Sequence, residues 1–207
     1  MSHKSRTAVH ISPTAPLLLA IFVLLSSPLL LSALLTAAIL HELGHYWMLR
    51  GLRAQVTAIH ITALGAEMQV RGNLSYGGEL LAAAAGPAVN LVLALLLGLG
   101  GRLWEALYLF SGAQLVLGVF NLLPIRPLDG GSILWNFAAW LTEPYTADRV
   151  AGVVGFGMAA LLTLAAVAAL WLGGSPFLVL AASGLLWYAV VCPTGNRGCQ
   201  TAAKKVK

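Results

Sequence analysis

Two histidines four residues apart, with a glutamate beside the first, make His41-Glu42-Leu43-Gly44-His45 an HExxH pattern. On an α-helix, residues four apart share one face about 6 Å apart along the axis, so both imidazoles reach a single metal ion. Glu42, next to His41, then faces a metal-activated water and is placed to act as its base. Such short patterns also arise by chance on solvated helices, so the surroundings decide. Here they are apolar. His45 lies about 7 Å beneath Arg50 along the helix, and His41 about 13 Å beneath it. An ionisable residue at such depth costs about 2.5–3.5 kcal/mol even on a forgiving insertion scale. A zinc site contributes about 10–16 kcal/mol of binding free energy in small peptides, an offset that packing alone does not offer.

Two histidines leave a tetrahedral zinc one protein ligand short if its fourth position is to hold water. A further histidine at position 51, as in soluble metzincins, is ruled out because that residue is Gly51. The remaining carboxylates are Glu67, Glu79, Glu105, Asp129, Glu143 and Asp148. Asp129 stands out. It lies in Asn121-Leu122-Leu123-Pro124-Ile125-Arg126-Pro127-Leu128-Asp129-Gly130-Gly131, where prolines and glycines interrupt a helix. Irregular backbone at membrane depth survives only where it is buried in protein or lines a watery cavity, which suits a ligand-bearing loop.

The elements that must carry these residues follow from composition. Of 207 residues, 59% are hydrophobic and 9% charged, which excludes a soluble globular chain. The net charge of +5 does not point to nucleic acid, because the basic residues sit in short loops and tails. Cys192 and Cys199 match no metal spacing and are incidental. The apolar run from Pro16 to Leu49 is too long for one span and breaks at Ser26-Ser27-Pro28, predicting helices over 14–27 and 29–50. A secretory signal is the competing reading of this region, but cleavage near 33–38 would cut a helix that runs on into HExxH. Further spans are predicted over 79–99, 103–123, 150–172 and 176–191. The expected fold is an all-α polytopic membrane protein of about six transmembrane helices, as one domain over residues 1–207. Gln55 to Arg71 is β-branched and partly alternating, predicting a short membrane-associated β-hairpin after the second helix. With the N- and C-termini in the cytoplasm, every Lys and Arg except Arg102 falls inside, which places the active site near the cytoplasmic side of the cell's inner (plasma) membrane.

HELGH followed by Gly86-Pro87-Ala88-Val89-Asn90 and then by NLLPIRPLDGG resembles, in order and spacing, the site-2 proteases, a family of intramembrane zinc metalloproteases. The resemblance covers about residues 15 to 190 and is nearest to the branch of the bacterial sporulation protease that processes a sigma-factor precursor. It implies that His41, His45 and Asp129 ligate one zinc ion, that Glu42 is the catalytic acid and base, and that Asn121 hydrogen-bonds substrate or the oxyanion. It also implies a membrane-protein substrate whose helix unwinds locally, and a β element over 55–71 to which that substrate adds a strand. No counterpart of the family's PDZ or CBS domains is expected.

Among the other polar residues, His60 reads as an interfacial surface residue and not as a ligand. Asn90 reads as a packing residue that bonds across helices. Gly112, Gly118, Gly152, Gly155 and Gly157 read as sites of close helix approach. The rival functions are a metal or proton transporter, since intramembrane His and Asp also mark ion paths, and a non-proteolytic membrane metallohydrolase.

Overall fold

The computed structural model describes residues 8–13, 16, 20, 23–24, 26–62, 65–72, 74–173 and 183–184. Its elements run β1 (Ala8–Ile11), α1 (Pro28–Gly51), β2 (Gln55–Thr62), β3 (Gly65–Arg71), α2 (Tyr76–Gly100), α3 (Ala106–Asn121), α4 (Asp129–Leu141) and α5 (Pro144–Trp171). The chain divides into two compact units, over residues 1–121 and 122–207.

In the first unit, α1 starts where the Ser-Ser-Pro break predicts. Pro28 occupies the first turn, where no backbone donor is needed, and Ser27 Oγ caps the helix by accepting from Leu30 N–H at 3.3 Å. α1, α2 and α3 pack on one another through small side chains. Ala33 and Ala37 of α1 meet Ala113 of α3 in a buried cluster flanked by Leu34, Leu109, Phe110 and Leu117. Ser111 Oγ donates to the Ala94 carbonyl of α2 at 2.7 Å. Alanine and serine at the contacts let the backbones approach closely, which is how helices associate in lipid. Large side chains point outward instead, among them Leu35, Ile39 and Trp47 of α1 and Val92, Leu95 and Leu96 of α2.

The expected hairpin is present as β2 and β3, paired antiparallel with a register shift between Val56 and Ala58. It belongs to a larger sheet. β1 pairs parallel with β2, Ala8 opposite Ala58 and His10 opposite His60, giving the order β1-β2-β3. Four residues carry too short an alternation to announce this strand. The sheet is seated on the end of α1 by Leu49, Ala54 and Val56, with Tyr46, Ile59, Met68 and Val70 around them.

The second unit holds α4 and α5. Trp135 and Ala139 of α4 pack against Ala147 and Ala151 of α5, while Ile125 and Leu128 of the preceding segment pack against Ala159. The sequence pattern missed α4 and began α5 late, at residue 150 instead of Pro144. Asp129 is therefore the first residue of a helix and not part of a loop.

The count of six spans is not supported. Among the described residues, three helices, α1, α2 and α5, are long and apolar enough to cross a membrane. The expected span over 103–123 is the 16-residue helix α3. The expected spans over 14–27 and 176–191 lie largely outside the described residues. The apolar outward faces of the three long helices fit a membrane protein.

Candidate metal centre

His41 and His45 stand one turn apart on α1, with their Nε2 atoms 3.1 Å from each other and their rings inclined at 80°. The other nitrogen of each ring is engaged. His45 Nδ1–H donates to the Ala82 carbonyl of α2 at 2.7 Å. A carbonyl only accepts, so this bond holds the proton on Nδ1. His41 Nδ1–H donates to Asn90 Oδ1 at 2.7 Å. The sense of that amide is set by its other end, where Nδ2 donates to the Ala37 carbonyl at 3.3 Å and to Gln114 Oε1 at 2.6 Å. The Nδ1 bonds leave the two Nε2 atoms turned toward each other, and where both rings are neutral a shared cation relieves the repulsion of their lone pairs. Two nitrogens about 2.0–2.1 Å from a tetrahedral zinc stand roughly 3.3 Å apart, close to the separation found. Backing of ligating imidazoles by fixed acceptors is the common arrangement around metals.

The glycine before Pro87 is explained by the same geometry. A Cβ on Gly86 would lie within 2.7 Å of His45 Cε1 and nearer still to Nε2, so the ring occupies space that only glycine leaves open. Gly44, inside the HELGH motif, lies against α2 in the same way: a Cβ there would come within 2.9 Å of the Ala85 carbonyl oxygen. The glycines thus set how closely α1 and α2 approach, and that approach brings Ala82 and Asn90 to the histidines.

Glu42 accepts a hydrogen bond at Oε1 from the Ala66 N–H of β3, at 3.1 Å. The bond orients the carboxylate and places the strand beside it.

Asp129 heads α4, where the helix dipole favours a carboxylate. Its position depends on the two glycines after it. A Cβ on Gly130 would collide with the carbonyl oxygens of Leu122 and Leu123, and one on Gly131 would lie 2.7 Å from Arg126 N. The first turn of α4 is thus folded directly against the 122–126 backbone. That segment is closed by Ile125 N–H to Leu123 O at 2.7 Å and Leu128 N–H to Ile125 O at 2.8 Å. The Arg126 guanidinium braces it over the Trp135 ring at 5.6 Å.

His41 and His45 belong to the first unit and Asp129 to the second, and each offers an atom of the kind that ligates a metal ion. Two imidazoles and one carboxylate suit zinc with a position left for water. Asn121, at the end of α3, donates through Nδ2 to its own helix at Leu117 O, 3.1 Å away. Asp148, another carboxylate weighed from the sequence, accepts from Trp135 Nε1. His60 stacks on His10, ring centroids 4.8 Å apart. Asn90 does bond across helices, but to His41 of the HELGH motif, a role the packing reading did not contain. Gln114 escaped the sequence reading altogether. Its signal was there: a lone amide in an otherwise apolar helix is costly in lipid and so has a partner to serve.

The profile of Peptidase family M50 matches residues 100–165. A zinc metalloprotease of Methanocaldococcus jannaschii is 28% identical over 63% of this chain, and the match spans only 40% of that relative's length. The solved site-2 protease of Methanocaldococcus jannaschii superposes with a TM-score of 0.67 at 24% identity, covering 87% of this chain and 88% of that one. It shows that the two share a fold. In sequence, profile and relative alike make this chain similar to zinc peptidases of family M50.

Proposed function

We propose that this chain is an intramembrane zinc metalloprotease that hydrolyses a peptide bond within or near a transmembrane segment of another membrane protein. The observation that carries the reading is the pair of Nε2 atoms 3.1 Å apart, each ring with its Nδ1 proton engaged. His41 and His45, with Asp129 as the resemblance of NLLPIRPLDGG implies, would hold the ion. Zinc bound there would supply Lewis-acid polarisation of the scissile carbonyl and would make water more acidic.

The remaining chemistry belongs to the chain. Glu42, oriented by the Ala66 N–H, takes the proton of the attacking water and delivers it to the leaving amine. Asn121 turns its carboxamide from Leu117 O to the developing oxyanion, where loss of one such donor costs about 10²- to 10³-fold. β3 is the edge of the sheet on the Glu42 side, since the Ala66 N–H serves Glu42 and not β2. An unwound substrate segment adds to that edge as a further strand, exposing its carbonyls to attack. The cytoplasmic location of both termini and the placement of the site toward that side belong to the same reading, as does the branch of sporulation proteases within the family, supported by the order and spacing of HELGH and NLLPIRPLDGG. Nothing favours a transporter.

The test is direct. Glu42→Gln is expected to retain zinc and to lose cleavage of a co-expressed membrane substrate. Retained proteolysis would remove Glu42 from the mechanism. Asp129→Ala is expected to lower the zinc content of the purified protein, and unchanged stoichiometry and affinity would remove Asp129 from the ligand set.

A further inference from the structure

We propose that Gln114 is a positioning residue for the metal centre, keeping the His41 proton on Nδ1, and so Nε2 open to the ion, by holding the Asn90 amide in one orientation. The proposal rests on the metal-centre reading and extends it one residue outward, across α3, α2 and α1.

Asn90 is fully buried and Gln114 is 1% exposed, so neither amide exchanges its partners for water. The Asn90 amide can face His41 in two ways. With Oδ1 forward it accepts the Nδ1 proton, as observed at 2.7 Å. Rotated by half a turn, it would present its NH2 group, His41 Nδ1 would have to accept, and the ring proton would move to the nitrogen that must bind metal. The Ala37 carbonyl favours the observed sense, but through a bond of 3.3 Å. The shorter bond, 2.6 Å, goes to Gln114 Oε1.

A residue chosen only to fill this space would not be glutamine. Its Nε2 has no hydrogen-bond partner among the described residues, a cost that leucine of similar size would avoid. Gly118, one turn further along α3, lets α3 come close at this level: a Cβ there would lie 3.1 Å from Asn90 Cβ.

The experiment uses the full chain in detergent micelles. The tautomer of His41 is read by nitrogen-15 NMR on metal-stripped protein, and zinc affinity by competition with a chelating dye. Wild type is expected to hold His41 as the Nδ1–H tautomer. Gln114→Leu is expected to shift part of the population to Nε2–H and to weaken zinc about tenfold, the lower end of effects seen for residues behind metal ligands. Gln114→Glu, which keeps an acceptor for Asn90, is expected to restore affinity to within about twofold of wild type, as a conserved hydrogen bond requires. Because Gln114 acts through Asn90, adding Gln114→Leu to Asn90→Ala is expected to cost nothing further.

Full additivity in that pair, or a Gln114→Leu protein with wild-type tautomer and affinity, would overturn the proposal. So would wild-type His41 in the Nε2–H form, a result that needs no variant to fold. Failure of the underlying reading looks different: wild-type protein with His41 as Nδ1–H that binds no zinc would dismiss the metal centre itself.

Discussion

His45 and Gly86 show how little room the site leaves at the scale of single residues. The imidazole is pinned between its bond to the Ala82 carbonyl and the space that a side chain at 86 would fill. Gly86→Ala is therefore expected to displace the ring and weaken zinc by about 10- to 100-fold, the range found when the support of a ligand is disturbed. Gly112→Ala serves as the control, because a Cβ there meets nothing within 4 Å. It is expected to leave zinc affinity unchanged and to add about 0.5–1 kcal/mol of helix stability. Equal affinities for the two variants, by dye competition, would contradict the close contact. His41 and His45 were legible in the sequence as a facing pair because their types and spacing state a chemistry. The Ala82 carbonyl was not, since a backbone oxygen belongs to every residue and only position makes it an acceptor for His45.

Among the elements, α4 and β3 each depend on a local feature that substitution can isolate. The first turn of α4 lies directly on the Leu122 and Leu123 carbonyls, so Gly130→Ala must push the helix start away from its own segment. The expected result is loss of zinc affinity with most helical content retained, read by circular dichroism beside metal analysis. Wild-type affinity would show that Asp129 tolerates the shift. β3 offers its outer edge beside Glu42, and the Ala66 N–H points that way. Met68, two residues on, has the same strand parity, so its N–H faces the same edge. Met68→Pro removes that donor, and proline is tolerated on edge strands. It is expected to slow cleavage at least tenfold, the equivalent of one lost hydrogen bond of about 1.4 kcal/mol, while zinc stoichiometry stays unchanged. Undiminished cleavage would remove strand addition at this edge from the mechanism. α1 was readable from sequence because Ser27-Pro28 is a local stop-and-start signal. α4 was hidden behind the prolines and glycines of the segment before it, which read as loop.

For the whole molecule, the outward apolar surfaces of α1, α2 and α5 and the metal set make separate demands on the surroundings. Residues such as Leu95 and Leu96 of α2 and Leu161 and Leu164 of α5 are more than half exposed on the protein, a surface that water would not support. The chain is expected to stay with membranes through alkaline carbonate washing and to need detergent for release, and extraction by carbonate alone would count against spanning helices. Metal that binds only the folded state stabilises it, by about 4 kcal/mol at a thousandfold excess over Kd. Chelation is expected to lower Tm, and zinc to restore it in wild type but not in Asp129→Ala. What the sequence determined by itself is whatever depends on near neighbours along the chain: the membrane-suited composition, the helical pairing of His41 with His45, the Pro28 start of α1 and the β2–β3 hairpin. Tertiary structure alone decided the rest: β1 beside β2, Asn90 and the Ala82 carbonyl behind the histidines, Gly86 making way for His45, and Gln114 behind Asn90. These pairings join residues between 24 and 50 positions apart. Helical and strand periods are local, whereas the distance of approach between two packed helices is set by every small side chain along the contact.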